Sequence, residues 1–393
     1  MKLNCDNIFW KFNKLPFVYR ALKSPNNDDN IPNFLPFKLY IDNNTGTLKQ
    51  YPDKEICNIL DRVYKKGYMI PGNAVEDPNG EEYTNIFIEN LCKYLNVGSF
   101  CSCNILDIGC GNGYLLYRLK KLGANVLGLE PGLYGQIGAK KYNVPIIWDS
   151  FPSNKLKKYQ KFDFIILKDV IEHFYNPDDF LGDITYLLKQ DGKLIISVVD
   201  AEPYMQQGDI SIFFHEHFSY FTEGTLCNTL RRCGFTNIQI YKPLFNKSLF
   251  AISSLINNKK TKKMNINNSV RLAHKYKDKS IYFIKKLSEY VNDYLNRDEY
   301  LGIYVPGRAI NILIYGNIPL NHIRFFDDND KLKGTFFPGI NIPIENRQDL
   351  IKKPTKKLLI FSRSFARKLV GELKKDIDEE VSIMTLSELF KET

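Results

Sequence analysis

No uninterrupted apolar run in the 393 residues approaches the ~20 needed to span a bilayer as a helix. The stretch Met1–Lys14 lacks an apolar core of signal-peptide length and a small-residue cleavage site. These absences lead to the expectation of a soluble, cytoplasmic protein without membrane insertion. Glycine (24) and proline (18) are too few for a collagenous or low-complexity chain. The eight cysteines (Cys5, Cys57, Cys92, Cys101, Cys103, Cys110, Cys227 and Cys233) form no CxxC pair and lie scattered, which argues against a disulfide framework or a zinc ribbon. There is no arginine-rich arm and no zinc-finger spacing. The basic residues are dispersed, apart from a cluster at Lys259–Lys263. The formal charge of +10 can mean an anionic partner, and a nucleotide-linked or phosphorylated small substrate fits such a mildly basic surface equally well. Without an arginine-rich arm or zinc finger, no nucleic-acid partner is expected, though a nucleic-acid acceptor stays a further option.

What remains is an ordinary globular composition, 44% hydrophobic and 25% charged, long enough for two or three domains. In residues 1–96, Leu39–Gln50 has turn chemistry between apolar arms and predicts a hairpin. Glu55–Tyr64 predicts a helix. Gly67–Tyr83, dense in Pro, Gly and Asn, predicts a long loop. Residues 97–255 alternate short β-rich runs (Asn104–Ile108, Val126–Glu130, Phe162–Leu167, Leu194–Val199) with helical spacing such as Leu115, Leu116, Leu119 and Leu122. This rhythm predicts α/β class: a Rossmann-like, doubly wound sheet closed by an antiparallel hairpin, Thr236–Tyr241 with Leu249–Ser253. Residues 256–300 read as a polar linker and a connecting helix over Ser269–Leu295. Residues 301–393 read as a second Rossmann-like α/β domain, with strands at Gly302–Val305, Ile323–Phe326, Lys357–Phe361 and Ser382–Met384.

The strongest chemical signal is Asp107-Ile108-Gly109-Cys110-Gly111-Asn112-Gly113, between a strand and a helix. Its glycines permit a tight turn and a close backbone approach to a ligand, and the helix start offers free N–H groups. Glu130 closes the next strand, where an acid can accept hydrogen bonds from ribose hydroxyls. A second signal is Phe214-His215-Glu216-His217-Phe218-Ser219-Tyr220-Phe221, beyond the last parallel strand, on the side where such sheets bind ligands. Residues two apart on a strand face the same way, so His215 and His217 could share a metal. A third ligand and an ordinary metal motif are missing, and no metal is expected.

These features resemble the class I S-adenosylmethionine-dependent methyltransferases over roughly Phe87–Ser253. The resemblance implies S-adenosyl-L-methionine as cofactor. Asp107, Gly109, Cys110, Gly111 and Gly113 would cradle its amino-acid end, Glu130 and Pro131 would meet the ribose, and Asp149 and Ser150 the adenine. Lys168, opening Lys168-Asp169-Val170-Ile171-Glu172-His173, fits the same pattern. The His215–Phe221 segment, with Asp327-Asp328-Asn329 and Pro338–Ile344 further on, is similar to the sugar C-methyltransferases that act on nucleotide-linked keto-deoxysugars. That likeness implies His217 as general base with Glu216 orienting it, and His173 joining them. It also implies a small-molecule acceptor, a sugar nucleotide of surface polysaccharide or deoxysugar biosynthesis, with residues 1–96 as a substrate or lid domain. Tyr68 matches loosely a tyrosine that reaches that family's active site, and equally reads as a loop anchor. The family's amino-terminal zinc cysteines are missing here, so no zinc is expected. Whether carbon or oxygen is methylated stays open. So does a non-catalytic cofactor-binding role. Oligomeric state is not readable.

Overall fold

The computed structural model describes residues 7–19, 21–26, 31–65, 78–243, 248–255, 265–295, 299–362 and 366–389. They fall into two compact units: Leu39–Pro203 with Glu216–Arg271, and Met1–Lys38 with Tyr204–His215 and Leu272–Thr393. Both units are discontinuous in sequence, whereas the sequence reading ran four consecutive segments along the chain.

The unit containing Leu39–Pro203 is built on a seven-stranded sheet. Its order is Phe235–Tyr241, Ser248–Leu255, Leu188–Val199, Phe162–Lys168, Asn104–Ile108, Asn125–Leu129, Ile146–Ile147. Neighbouring strands are parallel except that Ser248–Leu255 runs antiparallel to both of its partners. Two-residue alternation explains why these apolar runs make strands buried on both faces. Ile165 and Leu167 join one core with Leu106, Leu127 and Leu194, while Ile166 joins the opposite core with Ile105, Ile195 and Phe250. Each such side chain contributes roughly 1.5–3 kcal/mol on burial. The sheet is thus as expected, with Leu188–Val199 starting six residues before its predicted first residue.

The crossovers leave Asn104–Ile108 in opposite directions, so the turn after it opens into a crevice at the strands' carboxyl ends. The helix Tyr114–Lys121 follows, burying Leu115, Leu116 and Leu119. The helix Leu133–Tyr142 packs closely on the turn: a Cβ on Gly138 would stand 1.8 Å from the Asn112 carbonyl oxygen.

One local expectation fails. Pro78–Tyr83 is not loop but the start of a helix, Pro78–Leu95. Proline at the first helical position costs no hydrogen bond. The spacing of buried Tyr83, Phe87, Ile88 and Leu91 supplies the face that holds the helix down. The rest of that predicted loop, Tyr68 included, lies outside the described residues. The hairpin prediction holds: Leu39–Ile41 pairs antiparallel with Leu48–Gln50, and Asp42 accepts from the Asn44 and Thr45 N–H groups in the turn. Leu48–Gln50 then pairs with Ser219–Tyr220, anchoring the segment just after His217.

The other unit carries a parallel five-stranded sheet in the order Ile344–Glu345, Ile323–Phe326, Leu301–Tyr304, Lys357–Ile360, Ser382–Thr385. The helix Asn267–Leu295 matches the predicted connecting helix within two residues, and most of it belongs to this unit. Its buried Tyr276 donates a hydrogen bond to the Asp209 carbonyl at 2.7 Å. Among the described residues, no helix is long and apolar enough to cross a membrane.

Candidate active site

The cradle is assembled by the turn after Asn104–Ile108. Gly109, Gly111 and Gly113 have φ of +71°, +53° and +73°, the left-handed region that side chains disfavour. At Gly111 a Cβ would meet nothing within 4 Å, so this glycine also leaves open space above the turn. Glu130, buried at the tip of the second strand, braces the loop. One carboxylate oxygen accepts from the Gly111 N–H at 3.1 Å and the other from the Gly132 N–H at 2.7 Å. Those bonds pre-orient both oxygens. Asp107 lies beneath, 2% exposed, and its Oδ1 is buried without a hydrogen-bond partner. Burial pushes its carboxyl up to about 8, with the Glu130 charge adding to the shift and Lys168 opposing it. A buried carboxylate lacking a donor, beside a glycine with open space above it, fits the ammonium of an amino-acid ligand. A carboxyl-and-ribose ligand suits the rest of the cradle.

Other expected cofactor residues are placed less simply. The Cys110 side chain turns into a small core with Leu116 and Val144, and burial holds its thiol well above the ordinary range, so only its main chain faces a ligand role. The Pro131 carbonyl accepts from the Trp148 indole N–H. Half-buried Asp149 accepts from the Ser150 N–H and the Ser153 hydroxyl, and the latter bond chiefly holds its carboxyl below the usual range. Lys168 places its ammonium over the Tyr83 ring, 3.9 Å from the centroid, and 3.4 Å from Asp169.

The second part of the site lies on the loop after Phe162–Lys168. Asp169 has φ +57° and accepts from the Tyr83 hydroxyl at 3.1 Å. The 3-10 turn Ile171–His173 follows, and the Glu172 carbonyl accepts from the Phe218 N–H at 2.7 Å. That bond ties the turn to the loop carrying His217. The His173 and His217 rings meet edge to face at 4.9 Å between centroids. His173 Nδ1 lies 3.0 Å from the Glu216 carbonyl oxygen, which fixes that nitrogen as the N–H donor. Toward His173, Glu216 acts through its carbonyl. The Glu172 carboxyl is buried, with Oε2 lacking a hydrogen-bond partner, and burial, then Asp169 and Glu216, push it well above the usual range.

His215 is not part of this cluster. It belongs to the other unit, fully buried between Phe17 and Phe37 with Nε2 3.3 Å from the Pro36 carbonyl, and burial pulls its imidazole down to about 4. The pairing of His215 with His217 across one strand fails because residues 215–216 form a turn. Sequence reasoning missed Tyr83, which it placed in a loop, and treated Glu172 only as part of a matching run.

Residues 72–240 match the family model described as "Methyltransferase domain". The tRNA U34 carboxymethyltransferase of Colwellia psychrerythraea is 28% identical over 209 residues, covering 50% of this chain and 63% of that protein. A ubiquinone biosynthesis O-methyltransferase of Pelagibacter ubique is 30% identical over 141 residues, covering 32% of this chain and 59% of that protein. The chain thus spans less than two thirds of the length of these curated relatives. Among solved structures, Burkholderia thailandensis 1,6-didemethyltoxoflavin-N1-methyltransferase, with 1,6-didemethyltoxoflavin and S-adenosylhomocysteine bound, is 17% identical. It has a TM-score of 0.37 and covers 56% of this chain and 98% of that chain. The glycine turn after Asp107 and the Glu130 carboxylate that braces it lie within residues 72–240, the stretch that matches the methyltransferase domain model.

Proposed function

We propose that the chain moves the methyl group of S-adenosylmethionine onto an acceptor seated at the His173–His217 edge, and that this acceptor is a nucleotide-linked sugar. The observation that carries the transfer reading is the pairing of those imidazoles on the same carboxyl-end edge of the sheet as the glycine cradle. The sugar reading is supported by the likeness of His215–Phe221 and Pro338–Ile344 to sugar methyltransferase segments. The sulfonium already makes the methyl carbon electrophilic. The chain has only to hold the acceptor in line and help it lose a proton, and these contribute several kcal/mol and ~10²–10⁴-fold respectively. The acceptor's freed electron pair forms the new bond to the methyl carbon. The S–C bond breaks with its pair staying on sulfur, leaving the neutral thioether S-adenosylhomocysteine. His217 is assigned the proton. His173, held by the Glu216 carbonyl, steadies the developing oxyanion.

The test is His217→Asn in the full chain, assayed with labelled cofactor against sugar nucleotides, transfer RNA and quinol acceptors. Cofactor affinity is expected to persist while turnover with a sugar nucleotide falls at least a hundredfold, and NMR of the product places the methyl on carbon or oxygen. Wild-type turnover in the variant refutes the assignment. Labelling of transfer RNA alone, with steep salt dependence, would replace the sugar by the acceptor class of the Colwellia relative. Cofactor binding without transfer to any class would mark a non-catalytic binding protein.

A further inference from the structure

We infer that Glu172, His173 and His217 form a binding site for one divalent first-row transition-metal ion beside the methyl-transfer centre. The inference rests on the reading that the acceptor sits at this edge, and it changes how the acceptor loses its proton.

Three observations meet here. One ligand-capable atom from each of the three side chains lies within 4.8 Å of the other two. Donors 2.0–2.2 Å from one ion stand at most about 4.4 Å apart, so small side-chain rotations close the set. Glu172 is 2% exposed, and its Oε2 is buried without a hydrogen-bond partner, a carboxylate oxygen withdrawn from water with nothing to bind it. The supporting contacts are also in place. The His173 Nδ1–H bond to the Glu216 carbonyl leaves Nε2 with its lone pair, the usual second contact of a metal-bound imidazole. The Phe218 N–H to Glu172 carbonyl bond, 2.7 Å, locks the two ligand-bearing loops in register before any ion arrives.

Two imidazoles and one carboxylate suit Mn²⁺, Fe²⁺, Co²⁺ or Zn²⁺ better than Mg²⁺ or Ca²⁺, which favour all-oxygen sets. Three protein ligands leave positions for an acceptor oxygen. Bound there, a hydroxyl or enol oxygen ionises more readily and gives its proton to solvent, while His217 serves as ligand instead of proton acceptor. This departs from the expectation of no metal, which weighed the missing zinc cysteines and the set His215, Glu216 and His217, but not Glu172 with His173.

The experiment uses the chelator-stripped full chain and Mn²⁺ as probe, followed by electron paramagnetic resonance and calorimetry. One Mn²⁺ per chain is expected, not displaced by millimolar Mg²⁺, with affinity at least tenfold weaker in Glu172→Gln and in His173→Ala. Binding of S-adenosylhomocysteine, measured on the same samples, reports folding and the cofactor site. Absence of saturable Mn²⁺ binding, or binding that survives both substitutions, overturns the inference. If stripped enzyme also turns over at full rate, the transfer reading stands with His217 as direct base. If Mn²⁺ binds as expected but no acceptor is methylated, the transfer reading fails and the site remains.

Discussion

Replacing Asp107 by Asn should stabilise the cofactor-free protein increasingly as pH rises, while weakening cofactor binding. The Asp107 carboxyl is pushed from 3.8 to about 8 because it is buried with an unpartnered oxygen. A folded-state value above the unfolded one means the group costs nothing below pH 3.8, where both states are protonated. The cost then grows until about pH 8, where the folded state ionises too. Between pH 5 and pH 8 that is three units at 1.36 kcal/mol each, about 4 kcal/mol of stability lost by the wild type and not by the variant. A constant offset of about 1–3 kcal/mol from the asparagine's own unmet donors moves the curves apart without changing their slope. Urea unfolding of both proteins at half-unit pH steps isolates the group, because every other titration cancels in the difference. S-adenosylhomocysteine should reverse the trend: its ammonium supplies the missing cation, so wild-type affinity rises from pH 6 to 8 while the variant's stays flat. Parallel stability curves from pH 5 to 8 would refute the reasoning that Asp107 is held in an ion-hungry pocket.

Three further outcomes follow from the same geometry. Gly138→Ala normally strengthens a helix by about 1 kcal/mol, but here the new Cβ would stand 1.8 Å from the Asn112 carbonyl, so a net loss of about 2–4 kcal/mol is expected in urea unfolding, with weaker cofactor binding as the cradle shifts. Glu130→Gln keeps the shape but leaves one acceptor oxygen for two backbone donors, Gly111 and Gly132. Calorimetry should find S-adenosylhomocysteine affinity down at least tenfold, and unchanged affinity would remove Glu130 from the ribose contact. Tyr83→Phe deletes the hydroxyl bound to Asp169 at 3.1 Å. A loss of about 1 kcal/mol is expected, read as a Tm drop of roughly 2–4 °C, and an unchanged Tm would mean that contact contributes nothing.

How much of this was readable beforehand depends on the range over which each feature is determined. Asn104–Ile108 and the glycine turn are local: a β-rich run, residues that tolerate positive φ, then leucines at helical spacing, all agreeing within twenty residues. The strand, glycine turn and helix were legible for that reason. Pro78–Tyr83 misled because proline and glycine mark loops and helix starts alike. Only the downstream face of Phe87, Ile88 and Leu91, buried against the sheet, decides between them. The proposed acceptor edge lay further out of reach. His215 and His217 are two residues apart, yet a turn sends one into an aromatic core and the other to His173. Glu172 and His217 are forty-five positions apart and are brought together by one main-chain bond, Phe218 to Glu172, and by pairing of Ser219–Tyr220 with Leu48–Gln50. A spacing rule cannot see such a meeting, because no period of helix or strand relates those positions. The chemistry proposed for this chain therefore sits where loops are held by partners distant in sequence, and the sheet that orients them is its most locally determined part.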